Sequence, residues 1–162
     1  MGKEVKTNAM RILEKKKIPY ELVQYESDEF IDGVHMAEKE GIPIHQTFKT
    51  LVLEGKSKEH YVLVIPVDRE IDLKHAAKEV KEKSLQMVPV KEITKLTGYV
   101  RGGCSPIGMK RQFPTYIDTS ARDFENIYVS GGRIGTSLYL SPEDLIKAVD
   151  ADYADLIQNT MR

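Results

Sequence analysis

The sequence has almost none of the residues that build covalent or metal-bound scaffolds. Among 162 residues there is one cysteine, Cys104, so no internal disulfide can form and no cysteine-rich zinc site can be assembled. The four histidines, His35, His45, His60 and His75, fall in neither an H-E-x-x-H pattern nor another common ligand spacing, so no metal and no cofactor is expected. No apolar run approaches the ~20 residues that span a bilayer, and the start, MGKEVKTNAM, has no apolar signal region. A cytoplasmic protein with no membrane partner is therefore expected. Charge of one sign is missing too. The net charge is -1, whereas proteins held on nucleic acid through phosphates usually carry a basic excess. Any basic face would be local, and Lys15, Lys16, Lys17, Arg101, Lys110, Arg111 and Arg133 are the candidates for one. Nucleophile motifs are absent as well. There is no G-x-S-x-G elbow, no paired-carboxylate motif, no phosphate-binding P-loop, and no histidine close in sequence to Cys104 or Ser105.

What is present suits one globular unit. Hydrophobic residues make up 41% of the chain and charged residues 30%, and this length accommodates a single domain, residues 1–162, and no second. Ala9, Ile12 and Leu13 at helical spacing predict a helix from Lys6 to Lys17, entered through Thr7 or Asn8 and stopped before Pro19. Tyr20 to Tyr25 reads as a strand, with Tyr20, Leu22 and Gln24 on one side, and Gly33 to Gly41 as a second helix. The runs starting at Gln46 and Tyr61, joined across Gly55, read as a hairpin of central strands. Asp72 to Lys83 is predicted as a third helix behind an aspartate cap and Glu92 to Thr97 as a short fourth. Strands are expected at Thr115–Asp118, Asn126–Ser130 and Ser137–Leu140. A last helix starts at Ser141-Pro142. Helices and strands alternate without a βαβ rhythm. The expected fold is therefore α/β, a mixed, mostly antiparallel, curved sheet flanked by helices.

Three segments stand out chemically. Gly102-Gly103-Cys104-Ser105-Pro106-Ile107-Gly108 is a loop whose paired glycines let backbone N–H groups and a ligand come close, as an oxyanion cradle requires. Lys49 sits within an otherwise apolar strand, where it must reach water or bind an anion. Ser130-Gly131-Gly132-Arg133-Ile134-Gly135 is a second glycine-rich turn, which alone would read as a hairpin connection. Cys104 reads as a small loop residue, because nothing in the sequence lowers its pKa.

Taken together, Phe48-Lys49-Thr50-Leu51, the stretch from Thr97 to Gly108, and Ile127-Tyr128-Val129-Ser130-Gly131-Gly132 resemble the YbaK/EbsC family of Cys-tRNA(Pro) deacylases. That family is related to the editing domain of bacterial prolyl-tRNA synthetase, and the resemblance runs from Lys6 to the last helix. It implies hydrolysis of the ester that joins a wrong amino acid to the tRNA 3′ end. In the cysteine-specific branch the substrate's own thiol attacks its carbonyl and expels the tRNA as a thiolactone forms. By this resemblance Lys49 would hold the terminal adenosine region, and Gly102, Gly103 and Ser105 would frame the ester carbonyl with backbone N–H groups. Tyr20 and Phe30 would line the pocket, Cys104 and Pro106 would border it, and Ser130, Gly131 and Gly132 would form its opposite wall. The implied partners are mischarged tRNA and prolyl-tRNA synthetase. Two other readings are an editing deacylase for another aminoacyl-tRNA such as Ala-tRNA(Pro), and a non-catalytic binding protein on the same fold.

Overall fold

The computed structural model describes residues 6–24 and 41–158. The helix expected at Gly33–Gly41 and the pocket residue Phe30 lie outside the described residues, apart from Gly41. Among the described residues the order is α1 (Asn8–Lys15), β1 (Glu21–Gln24), β2 (Phe48–Gly55), β3 (His60–Pro66), α2 (Leu73–Glu79), β4 (Leu85–Met87), α3 (Val90–Thr97), β5 (Thr115–Asp118), β6 (Ile127–Ser130), β7 (Thr136–Leu140), α4 (Pro142–Val149) and β8 (Asp152–Ala154). No helix among them is long and apolar enough to cross a membrane.

The strands form two sheets rather than one. A three-stranded antiparallel sheet has the order β1-β7-β6, and a five-stranded sheet the order β4-β2-β3-β5-β8. The β2–β3 hairpin is antiparallel, pairing Lys49 with Ile65 and Val52 with Val62, while β5 joins β3 and β8 in parallel. The sheets touch at a parallel bridge between Thr47 and Tyr128. Strands β4 and β8 were not anticipated from sequence. Each has three residues, too short for an alternation of apolar and polar positions to register.

The apolar runs of the hairpin reflect burial on both faces of the larger sheet. Val52, Val62 and Val64 pack into a core that also takes Ala9, Met10 and Leu13 of α1, Ile107, Val129 of β6, Leu138 of β7 and Leu145 of α4. On the other face Leu53, Leu63 and Ile65 pack against Ala76, Ala77 and Val80. Each fully buried aliphatic side chain of this kind contributes roughly 1.5–3 kcal/mol relative to exposure.

Helix caps explain the boundaries. The Thr7 hydroxyl accepts from the Met10 N–H, Asp72 from the His75 N–H, and Ser141 from the Asp144 N–H with Pro142 in the first turn, each satisfying a donor the helix leaves open. The expectation that α2 runs to Lys83 is corrected, because the helix ends at Glu79. Lys81 takes a left-handed φ of 66°, and the Glu82 carboxylate accepts hydrogen bonds from Ser57 and Tyr61 on the hairpin. Those tertiary partners turn the chain away from the helix. The structure also decides which side of β1 faces the interior. Leu22 is 41% exposed, and Val23 on the opposite face packs against Ile42.

Candidate functional site

Two glycine-rich loops and the start of α1 converge on one place. The first loop begins where α3 ends, at Gly98 in a left-handed cap with φ 86°. Thr97, buried, donates its hydroxyl to the Ile93 carbonyl at 2.8 Å and accepts from the Tyr99 N–H at 3.0 Å. The Tyr99 hydroxyl donates to the Ile107 carbonyl at 2.7 Å and so ties the two ends of the loop together. Burial holds that phenol up at about 12, with the neighbouring Cys104 thiol adding to the effect. Ser105 is fully buried and its hydroxyl accepts from the Ile107 N–H at 3.2 Å. Asn8 closes the far end, its amide donating to the Gly108 carbonyl at 2.7 Å.

The second loop follows β6. The Gly131 N–H donates to the Thr136 carbonyl at 2.8 Å, the Gly132 N–H to the Ser130 hydroxyl at 3.2 Å, and the Thr7 hydroxyl to the Gly131 carbonyl at 2.5 Å. Gly132 has a φ of 105°, and a Cβ there would stand 3.0 Å from the Thr7 Cβ and 3.1 Å from the Tyr99 ring. The two loops meet at Gly103, where a Cβ would stand 2.8 Å from the Arg133 Cα and 2.9 Å from the Ile134 nitrogen. No side chain fits between two backbones at that separation, so the glycine is required by packing.

Strand pairing brings Lys49 toward the same end. Thr47 and Tyr128 form a parallel bridge, and Lys49 and Ser130 each lie two residues beyond it, on β2 and β6 running the same way. Lys49 is half-buried. Next to it the Thr50 hydroxyl is buried without a hydrogen-bond partner among the described residues. Pro106 is buried beside Ser105. The Tyr20 hydroxyl donates to the Glu14 carboxylate on α1 at 2.8 Å, and burial followed by that carboxylate raises the phenol to about 12. Tyr20 thus packs against the main core through its ring while its polar end faces α1.

The backbone donors differ in availability. The Gly103 N–H is already given to the Val100 carbonyl at 2.9 Å, and Gly131 and Gly132 are likewise engaged. The N–H groups of Gly102, Cys104 and Ser105 carry no hydrogen bond to a described residue. Of the four loop donors, the Gly103 N–H is thus the one committed to the backbone of a described residue, and its glycine is required for the close approach to Arg133. The Cys104 thiol is pushed up to about 11 by burial, a rise that a hydrogen bond to Thr97 only partly offsets. It is neutral near pH 7, which suits a loop residue and not a thiolate nucleophile.

Sequence reasoning took Thr7 and Asn8 as helix caps only. Their second role, holding Gly131 and Gly108, has no local signal because the partners are 124 and 100 residues away. Nor did it pick out His75 and Glu79, which sit one turn apart on α2. With Asp155 their ligand atoms lie within 4.8 Å of one another. His75 pairs with Glu79 at 3.3 Å and Asp155 accepts from Thr119 at 2.6 Å, interactions that account for the grouping.

Comparison with known proteins identifies the family of the chain. A model of the aminoacyl-tRNA editing domain matches residues 33–148, a span that holds Lys49 and both glycine loops. A protein of Enterococcus faecalis named "Putative Cys-tRNA(Pro)/Cys-tRNA(Cys) deacylase EbsC" is 41% identical over 152 residues, covering 93% of each chain. The Bacillus subtilis protein YwhH, uncharacterised, is 26% identical over 109 residues, which is 67% of this chain and 69% of that one. A solved structure described as "a putative trans-editing enzyme for prolyl tRNA synthetase" superposes with a TM-score of 0.82 at 23% identity, covering 96% of this chain and 100% of the other. At that identity the match speaks for the fold, and together with the family model and the E. faecalis relative it leads to one conclusion: the chain belongs to the aminoacyl-tRNA editing domain family.

Proposed function

We propose that this protein is an aminoacyl-tRNA deacylase that clears cysteine from mischarged tRNA, Cys-tRNA(Pro) foremost, by letting the substrate's own thiol do the chemistry. The observation that carries the reading is a set of unclaimed backbone donors beside a thiol that is not a thiolate, with no nucleophile motif in the sequence. The N–H groups of Gly102, Cys104 and Ser105 are unclaimed by described residues, while the one thiol of the chain is held neutral by burial.

In the proposed reaction the cysteinyl thiol loses its proton to water and its sulfur bonds to the ester carbonyl carbon. Negative charge collects on the carbonyl oxygen, where the three N–H groups stabilise it. The carbon–oxygen bond to the ribose then breaks, the leaving ribose oxygen takes up a proton, and a cysteine thiolactone departs for hydrolysis in water. Removing one donor of an oxyanion cradle typically costs about 10²–10³ in rate, so positioning plus such donors supplies much of the acceleration. Lys49 holds the phosphate or ribose of the terminal adenosine. Ser130, Gly131 and Gly132 form the facing wall and Tyr20 and Pro106 complete the pocket, to which the family resemblance adds Phe30, outside the described residues.

A chemical filter of this kind is useful because pockets separate amino acids of similar size poorly. The relative's printed name pairs Cys-tRNA(Pro) with Cys-tRNA(Cys), which fits recognition of the amino acid more than of the tRNA. Prolyl-tRNA synthetase is the natural partner, since an enzyme acting beside it meets the mischarged product first. The test is single-turnover deacylation of Cys-tRNA(Pro) beside a substrate whose thiol is methylated. Cleavage of the free-thiol substrate alone is expected. Equal cleavage of both would require water as nucleophile, and cleavage of neither would leave a binding protein.

A further inference from the structure

The chain is nearly neutral, yet its charge is unevenly distributed along the sequence. Residues 90–113, which comprise α3 and the first glycine loop with its exit, hold five basic side chains and one acidic, a net of +4 against -1 for the whole chain, which leaves -5 for everything else. The five, Lys91, Lys95, Arg101, Lys110 and Arg111, are all exposed, and the acid, Glu92, is half-buried.

The fold gathers these charges beside the candidate site. Lys91 and Lys95 are one helical turn apart and share a face of α3. The Lys110 N–H donates to the Thr97 carbonyl at 2.9 Å, its ammonium stands 3.3 Å from the Lys95 carbonyl, and its stem lies 3.1 Å from where a Cβ on Gly98 would be. Lys110 is thus strapped along the end of α3 with its charge next to Lys95. The Arg111 guanidinium lies 5.6 Å from the centre of the Phe113 ring, which limits its freedom and lowers the entropy lost when it binds. None of Lys91, Lys95, Lys110 and Arg111 forms an ion pair with a described residue. Four like charges with no ion-pair partner among the described residues suit an external polyanion. Lys16, by contrast, points its ammonium at the Ala148 carbonyl on α4 at 3.0 Å, so Lys15, Lys16 and Lys17 mark a different place at the far end of α1.

We propose that this face of α3 and the loop exit is the docking surface for the acceptor arm of tRNA, whose phosphates lie over Lys91, Lys95, Lys110 and Arg111 while the aminoacylated end enters between the glycine loops. The proposal rests on the deacylase reading for the choice of polyanion, but its test does not need activity. Binding of uncharged tRNA(Pro) is measured by fluorescence anisotropy across a salt series, for the wild type and for Lys95→Ala, Lys110→Ala and the double variant. Lys74→Ala and Lys78→Ala serve as controls, being exposed lysines of α2, which packs on the opposite face of the sheet.

The expected result is a severalfold loss of affinity at low salt for each α3-side variant, with the slope of log affinity against log salt shallower by about 1 per lysine removed. Lys95→Arg should restore the slope, and Lys74→Ala and Lys78→Ala should leave it unchanged. Unaltered affinity and slope in the Lys95 and Lys110 double variant would overturn the surface, as would equal losses in the α2 controls. Failure of the deacylase reading shows up separately, as absent cleavage of Cys-tRNA(Pro) by a wild type that still binds tRNA.

Discussion

Gly103 and Arg133 approach so closely that a Cβ on the glycine would stand 2.8 Å from the Arg133 Cα, a separation that welds the two glycine loops into one wall. Gly103→Ala should therefore force the loops apart, since the neighbouring atoms are backbone and cannot rotate away. A loss of roughly 1–3 kcal/mol of stability, the usual range for overpacking, is expected. Deacylation should fall further than the fraction of folded protein does. Denaturant unfolding and single-turnover rates on the same preparation check this, and a fully stable, fully active variant would contradict the wall.

Lys49 tests binding rather than folding. It is half-buried on β2 opposite Ile65 and its ammonium makes no hydrogen bond to a described residue, so Lys49→Ala should unfold at nearly the wild-type denaturant concentration, within about 0.5 kcal/mol as surface-like changes usually are. Deacylation should nevertheless fall by at least about tenfold, the equivalent of about 1.4 kcal/mol of lost substrate interaction. Retained activity at native stability would remove Lys49 from the site.

The Tyr99 hydroxyl bridges the loop ends through the Ile107 carbonyl, in a position where the acceptor is buried. Tyr99→Phe leaves that carbonyl unsatisfied and should cost about 1–3 kcal/mol. Because the same bond shapes the 98–108 loop, the deacylation rate should drop as well. Hydrogen exchange of the loop amides would report the loosening directly.

Cys104 gives the pH dependence. Burial raises its thiol from an ordinary 9.0 to about 11 in the folded protein, so between those values the folded state holds a proton that the unfolded state has lost. The sign follows from linkage. The contribution is fully present below pH 9 and disappears as pH rises through the folded value. Stability should therefore decline above pH 9, and Cys104→Ala should flatten part of that decline relative to wild type, the tyrosines accounting for the remainder. Near pH 7 Cys104→Ser should keep most deacylation activity. Its loss would bring back an enzyme thiolate.

Much of the architecture could be read from local pattern. Thr7, Asp72 and Ser141 were recognisable as cap residues, and the apolar runs around Leu51 and Leu63 as central strands, because capping and burial act over a few residues. The end of α2 was not legible. Glu82 leaves the helix for Ser57 and Tyr61 across the hairpin, a competition no helical periodicity encodes. The separation into two sheets was hidden for a similar reason, since β1 pairs with β7 across more than a hundred intervening residues. At the site the glycines announced close backbone approach without saying what approaches. Resemblance supplied Gly103 as a carbonyl-framing residue, while only the structure shows its N–H given to the Val100 carbonyl.

By itself the sequence determined the starts of α1, α2 and α4, the central hairpin, the absence of a nucleophile motif and the segments that carry chemistry, because each depends on residue type and short-range spacing. Only the tertiary structure decided that Gly103 packs on Arg133, that Thr7 and Asn8 hold the glycine loops, that burial raises the Cys104 thiol, and that the Lys110 ammonium rests on the Lys95 carbonyl. Those properties depend on which backbone atoms and charges meet, and on how much water remains around them, once residues far apart in the chain have closed into one core.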